Sequence, residues 1–426
     1  MFSKETFCIL PWSGLQINAA GDYKICCFNA GIHGSSSNKD YTTLLDSEGN
    51  IMNLMTHSIL DAINGDKFKQ IRLAQSRNEK HPMCGICWKR EDVSSRNGGT
   101  AHSLRIFRSF VQLPDVDGAI NLNNVKDYLT EDGSLNETPI SLDLRFTNVC
   151  NMKCTMCNSK YSNQWYEDEK IIYGATIEKE NRGARLDWHD SPRWWEQFET
   201  IKHRIRHLYI TGGEPFIIKG HNILLDKLIE ADLAKHIILE YDTNLSVIND
   251  KILDKLKQFK QIVLSVSCDD IGDRYNLIRF GGNFETLTTN MNKIQERGFG
   301  IRHISSCVGI YNIYAPIRIY EHFSKLGYDK YSFRTLMSPV HMDMKYIPDE
   351  QKQQVIRVYQ ESNLPDGWKK FICNYLESHI GTQSHEECVM MIENHVSFLD
   401  KLDSIRGTDW KKTFPDAVDL LKDYIK

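Results

Sequence analysis

The stretch Ile140-Ser141-Leu142-Asp143-Leu144-Arg145-Phe146, followed after Thr147-Asn148-Val149 by Cys150-Asn151-Met152-Lys153-Cys154-Thr155-Met156-Cys157, decides the fold. Ile140, Leu142, Leu144 and Phe146 alternate with polar side chains, the period of a half-buried strand. That strand runs directly into three cysteines spaced CxxxCxxC. Three thiolates on one short loop can each hold one iron of a four-iron cluster and leave the fourth iron open to an outside ligand. The same spacing suits part of a zinc site or three unrelated thiols, so position carries the weight. A loop at the C-terminal end of a parallel strand is where α/β barrels keep their chemistry.

Reading outward, Leu208-Tyr209-Ile210-Thr211-Gly212-Gly213-Glu214-Pro215 is a second strand entering a glycine turn. Further strands are expected over 236–244, 261–267, 301–309 and 330–336. Helices fall between them. Ile252, Leu253, Leu256 and Phe259 share one helical face behind Asn249 or Asp250 as cap, Leu287, Met291 and Ile294 another before Gly298, and Ile319, Tyr320 and Phe323 a third between Pro316 and Gly327. Such alternation implies a parallel sheet. Periodicity alone does not separate an open barrel from a doubly wound sheet.

These ordered motifs, over residues 140–339, resemble the radical S-adenosylmethionine (SAM) superfamily. The resemblance implies a partial (β/α)6 TIM-like barrel, with Cys150, Cys154 and Cys157 holding a 4Fe-4S cluster whose open iron is chelated by the amino and carboxylate groups of SAM. It assigns Gly212, Gly213, Glu214 and Pro215 to the SAM ammonium, and glycines suit a close backbone approach. Asn244 closes a third strand where relatives carry Thr-Asn-Gly; Leu245 takes the place of that glycine. Ser267 and Asp269 match ribose-binding positions, with side chains suited to hydroxyl partners. Arg279, or Arg274, is assigned to the SAM carboxylate. Met156 stands where relatives often have an aromatic residue, and its thioether can still pack on an adenine ring.

A second cysteine group lies upstream: Cys8, Cys26, and the pair Cys84-Gly85-Ile86-Cys87. It resembles the first half of the auxiliary-cluster domains called SPASM and twitch, placed here before the barrel rather than after it. Four thiolates can close a second iron-sulfur centre completely, in which case it relays electrons instead of binding substrate. A structural zinc site is the alternative. Cys27 competes with Cys26 as ligand, and the family spacing favours Cys26. Trp12, Trp88 and Glu91 flank these cysteines as packing and surface residues.

The chain of 426 residues divides on this reading into an auxiliary-cluster region over 1–100, a loop-rich connector over 101–139, the radical SAM core over 140–345 and a helical region over 346–426. The charged, tryptophan-rich stretch 161–201 reads either as an insertion at the barrel mouth or as a peripheral helical pair with its tryptophans packed inward. Lys plus Arg number 52 against 56 Asp plus Glu, a net charge of -4, so no basic field points to nucleic acid. No apolar run approaches bilayer length and the N-terminus lacks a signal pattern, which places the chain in the cytoplasm. There, twelve cysteines favour metal ligation over disulfides. Cys268, Cys307, Cys373, Cys388 and the lone His341 need no function beyond packing.

The expected activity is reductive cleavage of SAM to a 5′-deoxyadenosyl radical that abstracts hydrogen from a substrate, with an electron donor such as flavodoxin or ferredoxin. By analogy with SPASM and twitch enzymes the substrate is a peptide or protein; dehydrogenation of a small sugar or aminocyclitol comes second and activation of a glycyl-radical enzyme third. A zinc- or cluster-binding interaction protein is the non-catalytic alternative.

Overall fold

The alternation of apolar residues is realised as strands in a computed structural model, which describes residues 2–27, 42–96, 103–174 and 187–425. Among the described residues the strands are β1 Gly14–Ile17, β2 Tyr23–Lys24, β3 Ser141–Leu144, β4 His207–Ile210, β5 Ile238–Thr243, β6 Gln261–Ser267, β7 Ile301–Val308 and β8 Tyr331–Thr335. The six strands read from the sequence are β3 to β8, mostly shorter than expected, with β4 beginning one residue earlier, at His207. Helices alternate with them. Asn249 caps the helix Asp250–Leu256 by accepting from the Ile252 amide, and Asn283 caps Phe284–Glu296 in the same way. The chain is therefore α/β, with parallel strands and intervening helices.

Two compact units emerge, neither continuous in sequence. The first comprises Met1–Val149, Arg182–Tyr241 and Asn249–Val263. Its strand order is β2-β1-β3-β4-β5, with β1, β3, β4 and β5 parallel and β2 antiparallel at the edge. The strand β1 lies in the stretch read as the auxiliary region, yet it pairs with β3 along its whole length. That region thus begins as part of the sheet. The connector adds Leu113, Ile120, Val125 and Leu135 to a core with Phe7, Ile9, Trp12 and Ile140.

One face of this unit's sheet is apolar, with Leu15, Leu142, Leu208 and Leu239 in register. The other carries the polar row Gln16, Asp143, Tyr209 and Glu240. Glu240 is buried and bonded to Arg108 Nη1 at 2.6 Å and His207 Nε2 at 3.1 Å. Burial pushes its carboxyl up, but the Arg108 charge and the His207 and Arg108 bonds outweigh this and hold it well below the usual carboxylate range. The tryptophan-rich stretch packs inward here: Trp188 meets Phe146 and Trp194, each at a ring-centroid distance of 5.0 Å, and neither indole is more than 2% exposed.

The second unit comprises Cys150–Asn181, Asp242–Ile248 and Leu264–Lys426. It holds the end of β6 with β7 and β8, all parallel. The helices Asp349–Glu361, Asp366–Glu377 and His385–Arg406 realise the expected helical C-terminal region. Its core joins Trp165, Tyr311, Phe398, Leu402, Trp410 and Phe414, with Met156 and Cys157 packed against them.

Glu240→Gln removes the anion from a buried pair and leaves Arg108 uncompensated. The expected loss is about 3 kcal/mol, read from the urea midpoint at neutral pH. Because the folded pKa is lowered, the stabilisation is whole above the ordinary carboxylate pKa and declines as pH falls below it toward the folded value. The difference between variant and parent should therefore shrink in acid.

Candidate metal centre and cofactor site

A loop that turns three thiols toward one region cannot satisfy its own backbone by regular pairing, so other groups must meet it. Around Cys150–Cys157 they do. The Cys150 amide donates to Asn163 Oδ1 at 3.0 Å, the Met152 carbonyl accepts from Ser162 Oγ at 2.6 Å, and the Cys154 carbonyl accepts from Trp165 Nε1 at 3.0 Å. The Lys153 and Thr155 amides donate to the carbonyls of Phe280 and Ile278 at 2.9 and 2.7 Å, as between strands. Gly281 and Gly282 allow this approach: a Cβ on Gly281 would stand 2.9 Å from the Asn151 carbonyl oxygen, and one on Gly282 2.6 Å from Met152 Cε.

The thiols share an environment. Burial pushes the Cys157 thiol up, with the charges of Cys154 and Cys150 adding to it. Burial also raises Cys154, against the lowering pull of Arg279 and Arg406. Arg279 Nη1 stands 4.0 Å from Cys154 Sγ, and Asn244 Nδ2 stands 4.0 Å from Cys150 Sγ and 3.1 Å from Asn151 Oδ1. Among the described residues no three His, Cys, Asp or Glu side chains converge on a single ion position. The fit to a cluster rests on other observations. The hydroxyls of Tyr275 and Tyr311 are buried with no hydrogen-bond partner, and Cys154 is among the charges acting on both after burial itself. Buried thiols whose anions need a cation, together with buried hydroxyls left to donate, suit an iron-sulfur core whose sulfur atoms accept.

Other expected cofactor residues are placed as follows. Asp269 is 1% exposed; Oδ1 accepts from the Cys307 amide at 2.8 Å and Oδ2 lies 2.8 Å from Arg279 Nε. Ser267 ends β6, in register with Ser305. Arg274 instead pairs with Asp416 at 2.8 Å. Leu245, the departure from Thr-Asn-Gly, sits at φ 52 and is fully buried. Glycine would be unstrained in that conformation.

In the first unit, Gly212 and Gly213 have φ of 83 and 56. What they approach is protein: a Cβ on Gly212 would stand 2.9 Å from Arg145 Cβ, and one on Gly213 2.1 Å from the Val149 carbonyl oxygen. The Glu214 amide donates to that same oxygen at 3.0 Å. Glu214 is 1% exposed and its carboxylate also accepts from the Phe216 amide, capping the short turn that Pro215 opens.

The upstream cysteines also lie in the first unit. Burial pushes the Cys8 thiol up to about 12, with Cys87 adding to it; burial likewise raises Cys84, where Cys8 and Cys87 both add. Arg105 ties the group together, donating to the Phe7 carbonyl at 2.7 Å and to Glu91 Oε1 at 2.9 Å, with its guanidinium 4.8 Å from the Trp88 ring. Glu91 is thus the partly buried partner of a buried arginine rather than a surface residue. Cys26 and Cys27 line a small cavity with Gln16, Arg108, Asp143 and Tyr209.

Residues 144–314 match the family model of the radical SAM superfamily, and residues 8–88 match that of SPASM, an iron-sulfur cluster-binding domain. The chain thus carries both, with SPASM N-terminal. The first brings a SAM-binding 4Fe-4S cluster and the second an auxiliary iron-sulfur cluster. Among curated proteins none matches the chain. Solved structures similar to it include native anSMEcpe with bound AdoMet, at 16% identity over 56% of this chain and 63% of that one with a TM-score of 0.36. Streptococcus suis SuiB bound to precursor peptide SuiA is 14% identical over 74% and 67%, with a TM-score of 0.36. The chain spans less than two thirds of the length of the anSMEcpe structure.

Gly213→Ala places a methyl into the Val149 carbonyl at a positive φ. The expected cost exceeds about 2 kcal/mol, read from thermal or urea unfolding, whereas Gly85→Ala, with nothing within 4 Å of the added carbon, should stay within about 0.5 kcal/mol.

Proposed function

We propose that this chain, which carries a radical SAM domain behind an N-terminal SPASM domain, is a radical SAM enzyme acting on a peptide or protein. Cys150, Cys154 and Cys157 hold the SAM-binding cluster, and Cys8, Cys26, Cys84 and Cys87 the auxiliary one. The observation that carries the reading is the triplet loop, whose backbone groups are met from outside while Arg279 stands 4.0 Å from Cys154 Sγ and Asn244 4.0 Å from Cys150 Sγ. When bound, the cluster and SAM together supply reductive cleavage to methionine and a 5′-deoxyadenosyl radical that removes hydrogen from the substrate.

The chain's own part is positional. Asn163, Ser162 and Trp165 fix the loop backbone so that the thiols keep their places. Asn244 orients toward Cys150 through Asn151, and Arg279, anchored by Asp269, faces Cys154. Gly212, Gly213, Glu214, Pro215, Asn244, Ser267, Asp269 and Arg279 are assigned to SAM on the family resemblance. Arg105 and Glu91 hold the Cys8 segment beside Cys84 and Cys87, so the auxiliary centre would accept or relay the electron left after hydrogen abstraction. A ferredoxin or flavodoxin would supply the reducing electron. The SPASM domain favours a peptide, since enzymes with it commonly modify peptides.

Anaerobic reconstitution with iron and sulfide should give about eight irons per chain, and dithionite with SAM should then yield 5′-deoxyadenosine. Replacing Cys150, Cys154 and Cys157 by alanine should abolish that product, and persistence of turnover would sink the assignment. Cys84→Ala with Cys87→Ala should lose about half the iron while retaining SAM cleavage; undiminished iron would count against the auxiliary centre.

A further inference from the structure

The helical C-terminal region carries no sequence motif, yet its longest helix ends at the cluster loop. Arg406, the last residue of His385–Arg406, donates from Nε to Asp168 Oδ2 at 2.8 Å, and both side chains are 2% exposed. The other carboxylate oxygen of Asp168 accepts from Lys153 Nζ at 2.6 Å. Asp168 therefore bridges a loop residue, next to Cys154 in sequence, to a helix 238 positions away. The Arg406 guanidinium lies 4.6 Å from the ring of Trp165, the indole that donates to the Cys154 carbonyl, and 5.1 Å from that of Phe280. Its Nη2 is buried with no hydrogen-bond partner.

We propose that Arg406 is a positioning residue for the Cys150/Cys154/Cys157 centre, holding the loop through Asp168 and raising the centre's reduction potential with its buried charge. This rests on the reading above that the triplet holds the SAM-binding cluster. A 4Fe-4S core with three thiolates is anionic, and reduction adds one more negative charge. In a site of low effective dielectric a nearby fixed cation favours that step. Arg279 and Lys153 contribute in the same sense, while Asp168 opposes them. The burial of Arg406 keeps its charge unscreened, as a solvent-exposed residue could not. A guanidinium remains charged when buried where a lysine can lose its proton. That accounts for an arginine at the more enclosed end of the pair.

The test is an EPR-monitored redox titration of the anaerobically reconstituted full chain, following the signal that SAM perturbs. Each dithionite gives two electrons, one to each of two centres, and is oxidised to two sulfites. Arg406→Gln should shift the midpoint negative by about tenfold in the reduction equilibrium, about 59 mV for one electron, and Arg406→Lys should restore the shift only at pH low enough to keep the buried amine protonated. Asp168→Asn, which removes the opposing anion, should shift it in the positive direction. A purely mechanical role would lower iron retention in both variants without shifts of opposite sign. Iron-loaded Arg406→Gln and Asp168→Asn with parental midpoints, or shifts of the same sign, would overturn the proposal. If Arg406→Gln does not fold, the sign of the Asp168→Asn shift decides, a midpoint unchanged or moved negative being contrary. Failure of the parent chain to bind iron at the triplet would instead overturn the assignment of the site.

Discussion

The constraint on which the rest depends is that an irregular loop carrying three cysteines within eight residues must have its peptide groups paired by something else. Its backbone is spent on shape. Each unmet buried amide or carbonyl would cost about 1–3 kcal/mol, so several unmet groups would match a typical domain's whole stability. The surrounding structure supplies the partners from distant places: Asn163, Ser162 and Trp165 from the turn after the loop, and the carbonyls of Ile278 and Phe280 from the segment after Asp269. Glycine at 281 is the condition for that second set, because a Cβ there would meet the Asn151 carbonyl oxygen at 2.9 Å, whereas at 282 it would meet the movable end of the Met152 side chain.

Electrostatics follows from the same enclosure. Burial pushes the Cys154 and Cys157 thiols up, and a thiol gives up its proton on ligating a metal, so loading the site would release protons. Around it the fold keeps cations that are themselves anchored: Arg279 on Asp269, and Lys153 and Arg406 on Asp168. Leu245 shows a smaller compromise. Its left-handed backbone costs about 1–2 kcal/mol, and complete burial of the leucine returns about 1.5–3 kcal/mol, so a position where relatives use glycine tolerates a side chain here.

Much of this was legible in the chain. Strands β3 to β8 follow from period-2 alternation, the start of one helix from Asn249, and the triplet's importance from its place at a strand end. The polar partners were not, because ion pairs such as Asp168–Arg406 join residues far apart in sequence and leave no local pattern. Glycines signalled close approach without saying to what; at Gly212 and Gly213 the neighbours are Arg145 and Val149. Strand β1 was hidden by its length, only Leu15 and Ile17 alternating around Gln16. Arg274 and Arg279 looked alike in sequence, and tertiary structure separates them, one on Asp416 and the other on Asp269.

We propose that Cys150, Cys154 and Cys157 together hold one iron-sulfur cluster, on a loop whose backbone is already held by Asn163, Ser162 and Trp165. Anomalous diffraction at the iron edge, on crystals of the anaerobically reconstituted chain, tests this directly. The expected result is a four-iron peak bonded to these three sulfurs, with the hydrogen bonds of Asn163, Ser162 and Trp165 intact. A single tetrahedral zinc at the triplet, or iron there only after the loop has refolded and lost those bonds, would contradict it.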